Sequence, residues 1–236
     1  MNLIILFEKD FISENKVCLK DRRLNHVLSV HRASVGDTLR VGLLNGKIGQ
    51  GLITFLNDKE MEMEIELKEE SPPSLNVQLI LAMPRPKALK RIIQDVTTMG
   101  IKKIYIIKTW RVEKSFWSSP VLKEEALFEN MVLGLEQGKD TVLPSIEIIK
   151  LFKPFVEDRV SHIIKGTKAL VAHPVAERKC PKNINEPITL AIGPEGGFIP
   201  YEIDMLKAHG FEAVSLGERI LRVETSIPVI LGRLCK

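Results

Sequence analysis

The sequence predicts two domains: a small, mostly β domain and, after it, an α/β domain built on a parallel sheet. The chain of 236 residues is longer than most single small domains. An acidic run meets a Pro-Pro pair within residues 69–74, and the spacing of the apolar segments differs on its two sides. Because paired prolines continue neither a helix nor a central strand, we place the boundary between residues 1–72 and residues 73–236.

The composition is that of a folded globular protein, since 44% of the residues are apolar and 27% are charged. The opening segment MNLIILFEKDF has no basic segment ahead of its apolar run, so it predicts a first strand rather than a signal peptide. No apolar stretch approaches the roughly 20 residues that span a bilayer. We therefore expect a cytoplasmic protein with no membrane partner.

The cysteines give no sign of a disulfide framework or of a zinc site. Cys18, Cys180 and Cys235 lie far apart in the sequence and form no CxxC pair. We expect buried or incidental thiols and no bound metal.

The charge is unevenly distributed along a mildly basic chain of net charge +4. Up to Pro72 the sequence has 10 Lys/Arg and 12 Asp/Glu, a net of −2, and the remainder has 24 and 18, a net of +6. A basic surface permits a polyanionic partner. If the partner is a nucleic acid, we expect it to contact the second domain strongly.

Short alternating segments interrupted by turn signals predict the β domain. The segments are GDTLRVGLLNGKIGQGLITFL and EMEMEIEL, and the turn signals are Gly36-Asp37, Asn45-Gly46 and Asn57-Asp58. This pattern indicates a small barrel or sheet.

Apolar runs alternating with helical stretches predict the α/β domain. In order, the segments are LNVQLILAM, KALKRIIQDVTTMG, IKKIYIIKTW, LKEEALFENMVLGLEQG, KALVAHP, ITLAIG and FEAVSLG. The last three are strands that each end in an unusual loop, and these loops are the candidate site.

The first informative loop is Gly193-Pro194-Glu195-Gly196-Gly197, which lies between a buried strand and a helix that Gly210 ends. In α/β sheets ligands bind beyond the carboxyl ends of the strands, where glycine lets the backbone approach closely. The loop lacks the Lys-Ser/Thr of a phosphate loop and the G-x-G-x-x-G of a dinucleotide site. The alternative is a purely structural turn.

The second informative loop runs through residues 216–224, where apolar Ile220 and Leu221 lie among charged residues. Thr225 or Ser226 can cap a final helix, with Pro228 in its first turn. The alternative is a loop anchored by two apolar side chains.

Together, GPEGGF with Glu202 after it and LGxRILRxET at the carboxyl end resemble the RsmE-type family of uridine N3-methyltransferases in the SPOUT superfamily. The resemblance implies a PUA-like β-barrel that binds RNA, followed by a SPOUT α/β domain with a deep C-terminal trefoil knot. It also implies S-adenosyl-L-methionine as cofactor, a homodimer, and a uridine of small-subunit ribosomal RNA, in an assembled particle, as substrate.

By this resemblance, the cofactor pocket is formed by the ends of three strands and the loops that follow them. The implied residues are Ala172, His173, Ile192, Gly193, Pro194, Glu195, Gly196, Gly197, Leu216, Gly217, Ile220 and Leu221. His173 can also be an ordinary histidine at a strand end.

Uracil N3 carries a proton at neutral pH, so a catalyst must help to remove it or stabilise the charge that develops on the neighbouring oxygens. We expect Arg222 to do the latter, because a guanidinium offers two parallel donors. Glu195 and Glu224 are the candidate proton acceptors. Each has a structural alternative: Glu195 can bind loop amides and Glu224 can favour a helix start.

Basic and aromatic residues are the candidate RNA contacts. The expected contacts are Arg22, Arg23, Arg32, Arg85, Arg111 and Lys114, with Lys20, Lys87, Lys90 and Arg91 as further phosphate partners and Trp110, Phe116 and Trp117 as stacking candidates. For each of these residues, ordinary packing or solvation is the alternative.

Departures from the family pattern are expected in RNA-facing regions, whereas the cofactor loops match. The departures are Leu3 to Leu6, Ser29, His31, Asp95, Thr98 and Asp140. Two other functions stay open: a SPOUT methyltransferase that acts on a transfer RNA ribose, and a non-catalytic RNA-binding or ribosome-assembly factor with the same fold.

Overall fold

The computed structural model describes residues 2–235, which form two compact units. The first unit contains the chain up to Pro73 together with Met131–Leu143, and the second contains Ser74–Asn130 and the chain from Pro144 onward. A single cut after Pro72 therefore leaves out one segment of the first unit. The helix Glu124–Gly138 crosses the start of that segment without a break, so the pattern along the chain shows no boundary there.

The first unit is a curled sheet with one short helix. Its strand order is β1-β4-β5-β6-β3-β2, and all neighbours are antiparallel except β1 and β4. The strands are β1 (Ile4–Leu6), β2 (Phe11–Ser13), β3 (Lys16–Leu19), β4 (Thr38–Leu43), β5 (Ile48–Leu56) and β6 (Met61–Glu69), and the helix is α1 (Arg22–His26), which continues as a π-helical turn at Val27–His31.

Strand β6 shows why this sequence forms a sheet with one buried face. Successive side chains of a strand point to opposite faces. Met61, Met63 and Ile65 are buried, and the glutamates between them face outward. The hairpin before β5 turns at Asn45, which takes a left-handed backbone (φ 58°) directly before Gly46.

A buried ion cluster holds α1 in the first unit. Arg23 is 2% exposed and donates to both oxygens of Asp10, at 2.6 and 2.9 Å, and to the carbonyl of Ile5. Asp21 also accepts from Arg23. Burial lowers the pKa of Arg23, but the hydrogen bonds that its guanidinium donates to the two carboxylates outweigh burial and raise it. The expectation that Arg23 contacts RNA is therefore wrong, because its donors are already used inside the unit.

The second unit is a parallel six-stranded sheet of order β12-β10-β11-β7-β8-β9. Its strands are β7 (Val77–Ala82), β8 (Lys103–Ile107), β9 (Ser145–Ile149), β10 (Lys168–Ala172), β11 (Ile188–Ile192) and β12 (Glu212–Val214). The helices that follow α1 are α2 (Pro86–Thr98), α3 (Glu124–Gly138), α4 (Phe152–Phe155), α5 (Ser161–Ile163), α6 (Pro200–Ala208) and α7 (Val223–Leu234). Every residue of β11 is buried, as expected for a central strand of a parallel sheet.

The final helix differs from the expectation. It begins at Val223, so neither Thr225 nor Ser226 is the N-cap; Arg222 occupies that position, and Pro228 lies inside the helix. The physical reason is the apolar face: Val223, Ile227, Ile230, Leu231 and Leu234 are all buried at helical spacing. Because Val223 is buried on this face, the helix begins about one turn earlier than a cap at Thr225 or Ser226 would allow.

Within residues 2–235, no helix is both long and apolar enough to cross a membrane. In that same range, no group of three or more His, Cys, Asp or Glu side chains is placed to hold a metal ion.

Candidate active site

Three strands end side by side at one edge of the parallel sheet. The last residue of β10, Ala172, pairs with Ile192 of β11 on one side and with Val214 of β12 on the other. Because parallel strands leave the sheet in the same direction, the loops after all three strands begin at this edge. The loops therefore surround one region of the second unit.

The loop after β11 is a tight turn. The amide of Gly197 donates to the carbonyl of Pro194 at 2.7 Å, and Gly197 takes a left-handed φ of 70°. A Cβ at Gly193 would lie 3.0 Å from the backbone nitrogen of Phe198. Glycine is therefore favoured at Gly193 by close approach and at Gly197 by backbone conformation.

Two contacts hold this loop to neighbouring segments of the second unit. The carboxylate of Glu195 accepts from the amide of Arg85 at 2.9 Å. The guanidinium of Arg111 donates to the carbonyl of Gly196, and the carbon atoms of its side chain lie against the glycine, 3.1–3.7 Å from where a Cβ would stand. Glu195 is thus an acceptor for a backbone amide, which is the structural alternative that the sequence left open.

A buried carboxylate fixes the start of the helix that follows. Glu202 is 3% exposed, and its two oxygens accept from the amides of Ile199 at 3.0 Å and Trp110 at 2.7 Å. The first of these bonds caps α6, and the second ties the segment after β8 to α6. The sequence marked Glu202 only as part of a motif. A carboxylate in the first turn of a helix is a recognisable signal for the cap, but nothing local indicates the bond to Trp110.

The loop after β12 is shaped by Ser215 and Gly217. The buried hydroxyl of Ser215 accepts from the amide of Gly217 at 3.1 Å and lies 3.2 Å from the carbonyl of Pro174. Gly217 has a φ of 129°, which L side chains rarely adopt. Beyond it, Ile220 is 80% exposed and Leu221 is half-buried. An exposed isoleucine beside a half-buried leucine is an apolar surface of the kind that a ligand covers.

His173 joins the loops after β10 and β12. Its amide donates to the carbonyl of Val214 at 2.9 Å, and its ring nitrogen Nδ1 is buried without a hydrogen-bond partner in the described structure. Burial, and then the positive charges of Arg111 and Lys207, lower the pKa of His173. The ring is therefore neutral at neutral pH, and an unpartnered buried nitrogen is the feature that a bound ligand can satisfy.

The structure brings all twelve expected cofactor residues to the ends of β10, β11 and β12 or to the loops after them. Their role in binding stays a prediction. Among the catalytic candidates, Arg222 is exposed at the N-cap of α7, and Glu224 is half-buried in the first turn of that helix.

The other residues expected to contact RNA differ in how accessible their side chains are. Arg22 makes a two-pronged contact with buried Glu136, at 2.9 and 3.1 Å, inside the first unit. Arg32 is exposed at the end of the π-helical turn after α1. Arg85 and Lys114 are exposed in the second unit. Trp110 is 80% exposed, whereas Trp117 is half-buried with its indole nitrogen buried.

Several departures from the family pattern lie in the protein interior, so the expectation that they face RNA is wrong for them. Leu3 to Leu6 are buried in the core of the first unit because β1 is a strand of its sheet. Asp140 is buried and accepts from the hydroxyl of Ser71 at 2.7 Å and from the amide of Val142 at 2.9 Å. Thr98, in contrast, is half-buried, its hydroxyl donates to the carbonyl of Gln94 in its own helix, and its position relative to RNA stays a prediction.

A cleft of about 540 Å³ lies at the opposite, amino-terminal edge of the same sheet. It is lined by the starts of β7, β8 and β11 and by residues such as Lys103, Tyr105 and Lys165. Ligands of parallel sheets bind at the carboxyl edge. We therefore place the candidate site at the carboxyl edge, where the loops after β10, β11 and β12 begin, and not in this cleft.

Comparison with known proteins agrees with the motifs. The model of a family described as "RNA methyltransferase domain" matches residues 70–235. A relative from Treponema pallidum, named ribosomal RNA small subunit methyltransferase E, is 29% identical over 231 residues, covering 94% of this chain and 86% of its own length. A protein from Borreliella burgdorferi, named ribosomal RNA small subunit methyltransferase E 1, is 27% identical over 232 residues, covering 96% and 94%.

Solved structures share the fold over nearly the whole chain. The ribosomal RNA small subunit methyltransferase E of Neisseria gonorrhoeae, solved bound to S-adenosyl methionine, has a TM-score of 0.72 and 24% identity, covering 98% of this chain and 95% of its own. A protein from Thermotoga maritima described as a predicted RNA methyltransferase has a TM-score of 0.70 and 19% identity, covering 98% and 96%. These likenesses support the α/β architecture of a curled sheet and a parallel sheet.

The two motifs at the carboxyl end, the loops that they form, and a family model that spans most of the chain lead to one identification. The resemblance inferred from the motifs is confirmed, and the chain belongs to the RNA methyltransferase domain family.

Proposed function

We propose that the chain transfers a methyl group from S-adenosyl-L-methionine to N3 of a uridine in small-subunit (16S) ribosomal RNA. The observation that carries this proposal is the convergence of the GPEGG loop and the LGERILRVET loop at one edge of the parallel sheet, in a chain that belongs to an RNA methyltransferase family. Relatives over nearly the whole chain carry the name of an enzyme that acts on this RNA.

The residues at the site fit S-adenosyl-L-methionine. Ile220 and Leu221 offer apolar surface for an adenine, and at Gly197 and Gly217, where a Cβ would meet nothing within 4 Å, a ligand can approach the backbone. His173 is neutral at neutral pH, so it adds no charge that would repel a cationic sulfonium. When bound, the cofactor supplies an activated methyl group, and the protein contributes mainly by positioning the acceptor atom.

Three side chains of the site bear on the proton and the charge of the uracil. Arg222, exposed at the start of α7, can donate two parallel hydrogen bonds to adjacent acceptors, including a uracil carbonyl oxygen on which charge develops. Glu195 already accepts from the amide of Arg85. We therefore favour Glu224 over Glu195 as the proton acceptor at N3.

The finer description of the fold is part of the proposal. We infer a deep trefoil knot, a feature nearly absent from other proteins. In support, the amides of Asn183 and Ile184 donate to the carbonyls of Arg233 and Leu234, at 3.0 and 2.7 Å, so the loop between β10 and β11 is tied to the last turn of α7. We also infer that the curled, mostly antiparallel sheet of the first unit is a PUA-like barrel that binds RNA.

The biological setting is likewise proposed. We infer a cytoplasmic homodimer that acts on an assembled ribosomal particle and needs no metal.

Calorimetric titration with S-adenosyl-L-methionine tests the cofactor site. We expect saturable binding by the unmodified protein. We expect no binding by Gly196→Val, because a side chain at this position would collide with Arg111, which holds the loop. Gly232→Val is the matched control, since a Cβ at Gly232 meets nothing within 4 Å.

Mapping of modified uridines in 16S ribosomal RNA, before and after incubation with the protein and cofactor, tests the reaction. A new N3-methyluridine supports the proposal. Binding without transfer to any RNA would contradict the proposal, and absence of cofactor binding would favour a non-catalytic assembly factor.

A further inference from the structure

The most exposed aromatic side chain of the described structure belongs to a segment that contacts the candidate site. Trp110 is 80% exposed, and the residue before it, Thr109, is 4% exposed. The chain has two tryptophans, and the other, Trp117, is half-buried. A large exposed indole leaves apolar surface in water, which is typical of a residue that a partner covers.

The backbone of Trp110 is held although its side chain is exposed. Its amide donates to Oε1 of Glu202 at 2.7 Å, and Oε2 of the same carboxylate accepts from the amide of Ile199 at 3.0 Å. Glu202 is 3% exposed, so both bonds are shielded from water. An indole on a fixed backbone loses less conformational freedom when it binds a partner than one on a mobile loop.

The residue after Trp110 contacts the GPEGG loop. Arg111 donates to the carbonyl of Gly196 and packs along that glycine. Arg85, whose amide donates to Glu195, is an exposed cation anchored to the same loop, and Lys114 is exposed four residues after Trp110. Exposed cations therefore lie on the segment that carries Trp110 and on a second segment that contacts the candidate cofactor loop.

We propose that Trp110 is a stacking platform for an unpaired base of the RNA substrate and that Glu202 is the positioning residue that holds it beside the cofactor loop. This inference rests on the proposed function. An aromatic ring with neighbouring cations matches single-stranded RNA, because bases stack on the ring while Arg and Lys contact phosphates. A duplex keeps its bases stacked internally and offers no free face to the indole.

Fluorescence of single-tryptophan proteins tests the stacking directly. Trp117→Phe leaves Trp110 as the only indole, and Trp110→Phe leaves Trp117. The probes are an oligouridylate and the same strand annealed to oligoadenylate. We expect the oligouridylate to quench the emission of the Trp117→Phe protein, with little quenching by the duplex and little quenching of the Trp110→Phe protein.

Affinity measurements give the size of the effect. Trp110→Ala is expected to weaken oligouridylate binding roughly 5- to 150-fold, as for loss of one stacked base. The matched control is Leu151→Ala, which removes another exposed apolar side chain of the second unit, 65% exposed, and should leave the affinity unchanged.

Glu202→Gln tests the positioning role. A carboxamide has one oxygen and can accept only one of the two amides well, so we expect weaker quenching of Trp110 in the Trp117→Phe background. The midpoint of urea unfolding is measured alongside, and weaker quenching at an unchanged midpoint supports positioning rather than general destabilisation.

The outcomes separate this inference from the proposed function. Binding of S-adenosyl-L-methionine by Trp110→Ala, together with loss of RNA affinity, supports the stacking role. Unchanged RNA affinity of Trp110→Ala overturns it even if cofactor binding and methyl transfer are intact. A Trp110→Ala protein that becomes monomeric in sedimentation, with RNA affinity per subunit unchanged, shows that a second copy covers the indole and also overturns it.

Discussion

Two regions of the molecule use arginine in opposite ways. In the first unit, Arg23 is 2% exposed, and its guanidinium is shared between Asp10 and Asp21. In the second unit, Arg222 is exposed at the start of α7, among the loops of the candidate site. The buried guanidinium stabilises the fold, whereas the exposed one is available to a substrate.

This difference shows that an arginine in the sequence does not by itself indicate a structural or a functional role. Removing one partner of a buried pair leaves an uncompensated charge inside the protein, which is costly. Removing an exposed arginine costs the fold little, so any large effect of such a change reports on function. Four changes test this contrast, from the largest expected effect to the smallest.

Arg23→Leu should give the largest loss of stability. Asp10, which is 6% exposed, would then lie buried without its cation. We expect the free energy of unfolding of the first unit to fall by about 3–5 kcal/mol, measured by chemical denaturation. Arg32→Ala, a change at an exposed arginine of the same unit, should stay within about 0.5 kcal/mol. Equal effects of the two changes would contradict the contrast.

Arg222→Ala should show the reverse pattern, with a large effect on turnover and little on stability. Loss of a donor that stabilises developing charge typically lowers kcat by roughly 100- to 1,000-fold. Transfer of labelled methyl groups to ribosomal RNA measures kcat, and calorimetry checks that cofactor affinity is retained. Arg222→Lys should restore little activity, because an ammonium lacks the paired donors. If the unfolding midpoint of Arg222→Ala fell as far as that of Arg23→Leu, the role of Arg222 would be structural rather than catalytic.

His173 should make stability depend on pH in a defined direction. Burial, followed by the charges of Arg111 and Lys207, holds its pKa below that of an exposed histidine. The stability contribution of the neutral ring is therefore complete above about pH 6.5 and is lost as the pH falls below that value. Unfolding midpoints measured between neutral and mildly acidic pH should fall less steeply for His173→Phe than for the unmodified protein. Identical slopes would show that His173 does not contribute.

The smallest effect is expected at an exposed ion pair with the same paired geometry as the buried one. Arg159 donates through both terminal nitrogens to Glu147, one bond measuring 2.7 Å, and both side chains are nearly half exposed. Arg159→Ala should cost less than about 1 kcal/mol of unfolding free energy, because solvent screens the pair. High salt should reduce the difference further. A cost near that of Arg23→Leu would mean that geometry rather than burial determines the stabilisation.

Much of the fold could be predicted from local patterns. Strands β7, β8, β10, β11 and β12 and helices α2, α3 and α6 all lie where apolar periodicity indicates them. The pattern did not indicate β9 (Ser145–Ile149) or the helical stretch that begins at Phe152. Strand β9 is a five-residue strand at the edge of the sheet, and only one of its residues is buried.

The parts of the site that escaped prediction depend on distant contacts. The motifs identified the loops, because glycines and a charged apolar loop are local signals. They could not indicate that Glu202 reaches the amide of Trp110, a bond across 92 positions of the sequence. Nor could they separate Arg22 and Arg23 from exposed arginines, since their partners Glu136 and Asp10 are recognisable only in the folded chain.

The segment Met131–Leu143 also bears on how the chain folds as it is made. It supplies Glu136 to Arg22 and Thr141 to the turn at Gly46, so the first unit is incomplete until residue 143 has been synthesised. Domains usually fold in order as they leave the ribosome. In this protein the amino-terminal unit must wait for more than half of the chain to emerge from the exit tunnel. A nascent chain stalled soon after Pro73 should accordingly remain sensitive to protease, whereas one stalled well beyond Leu143 should be protected.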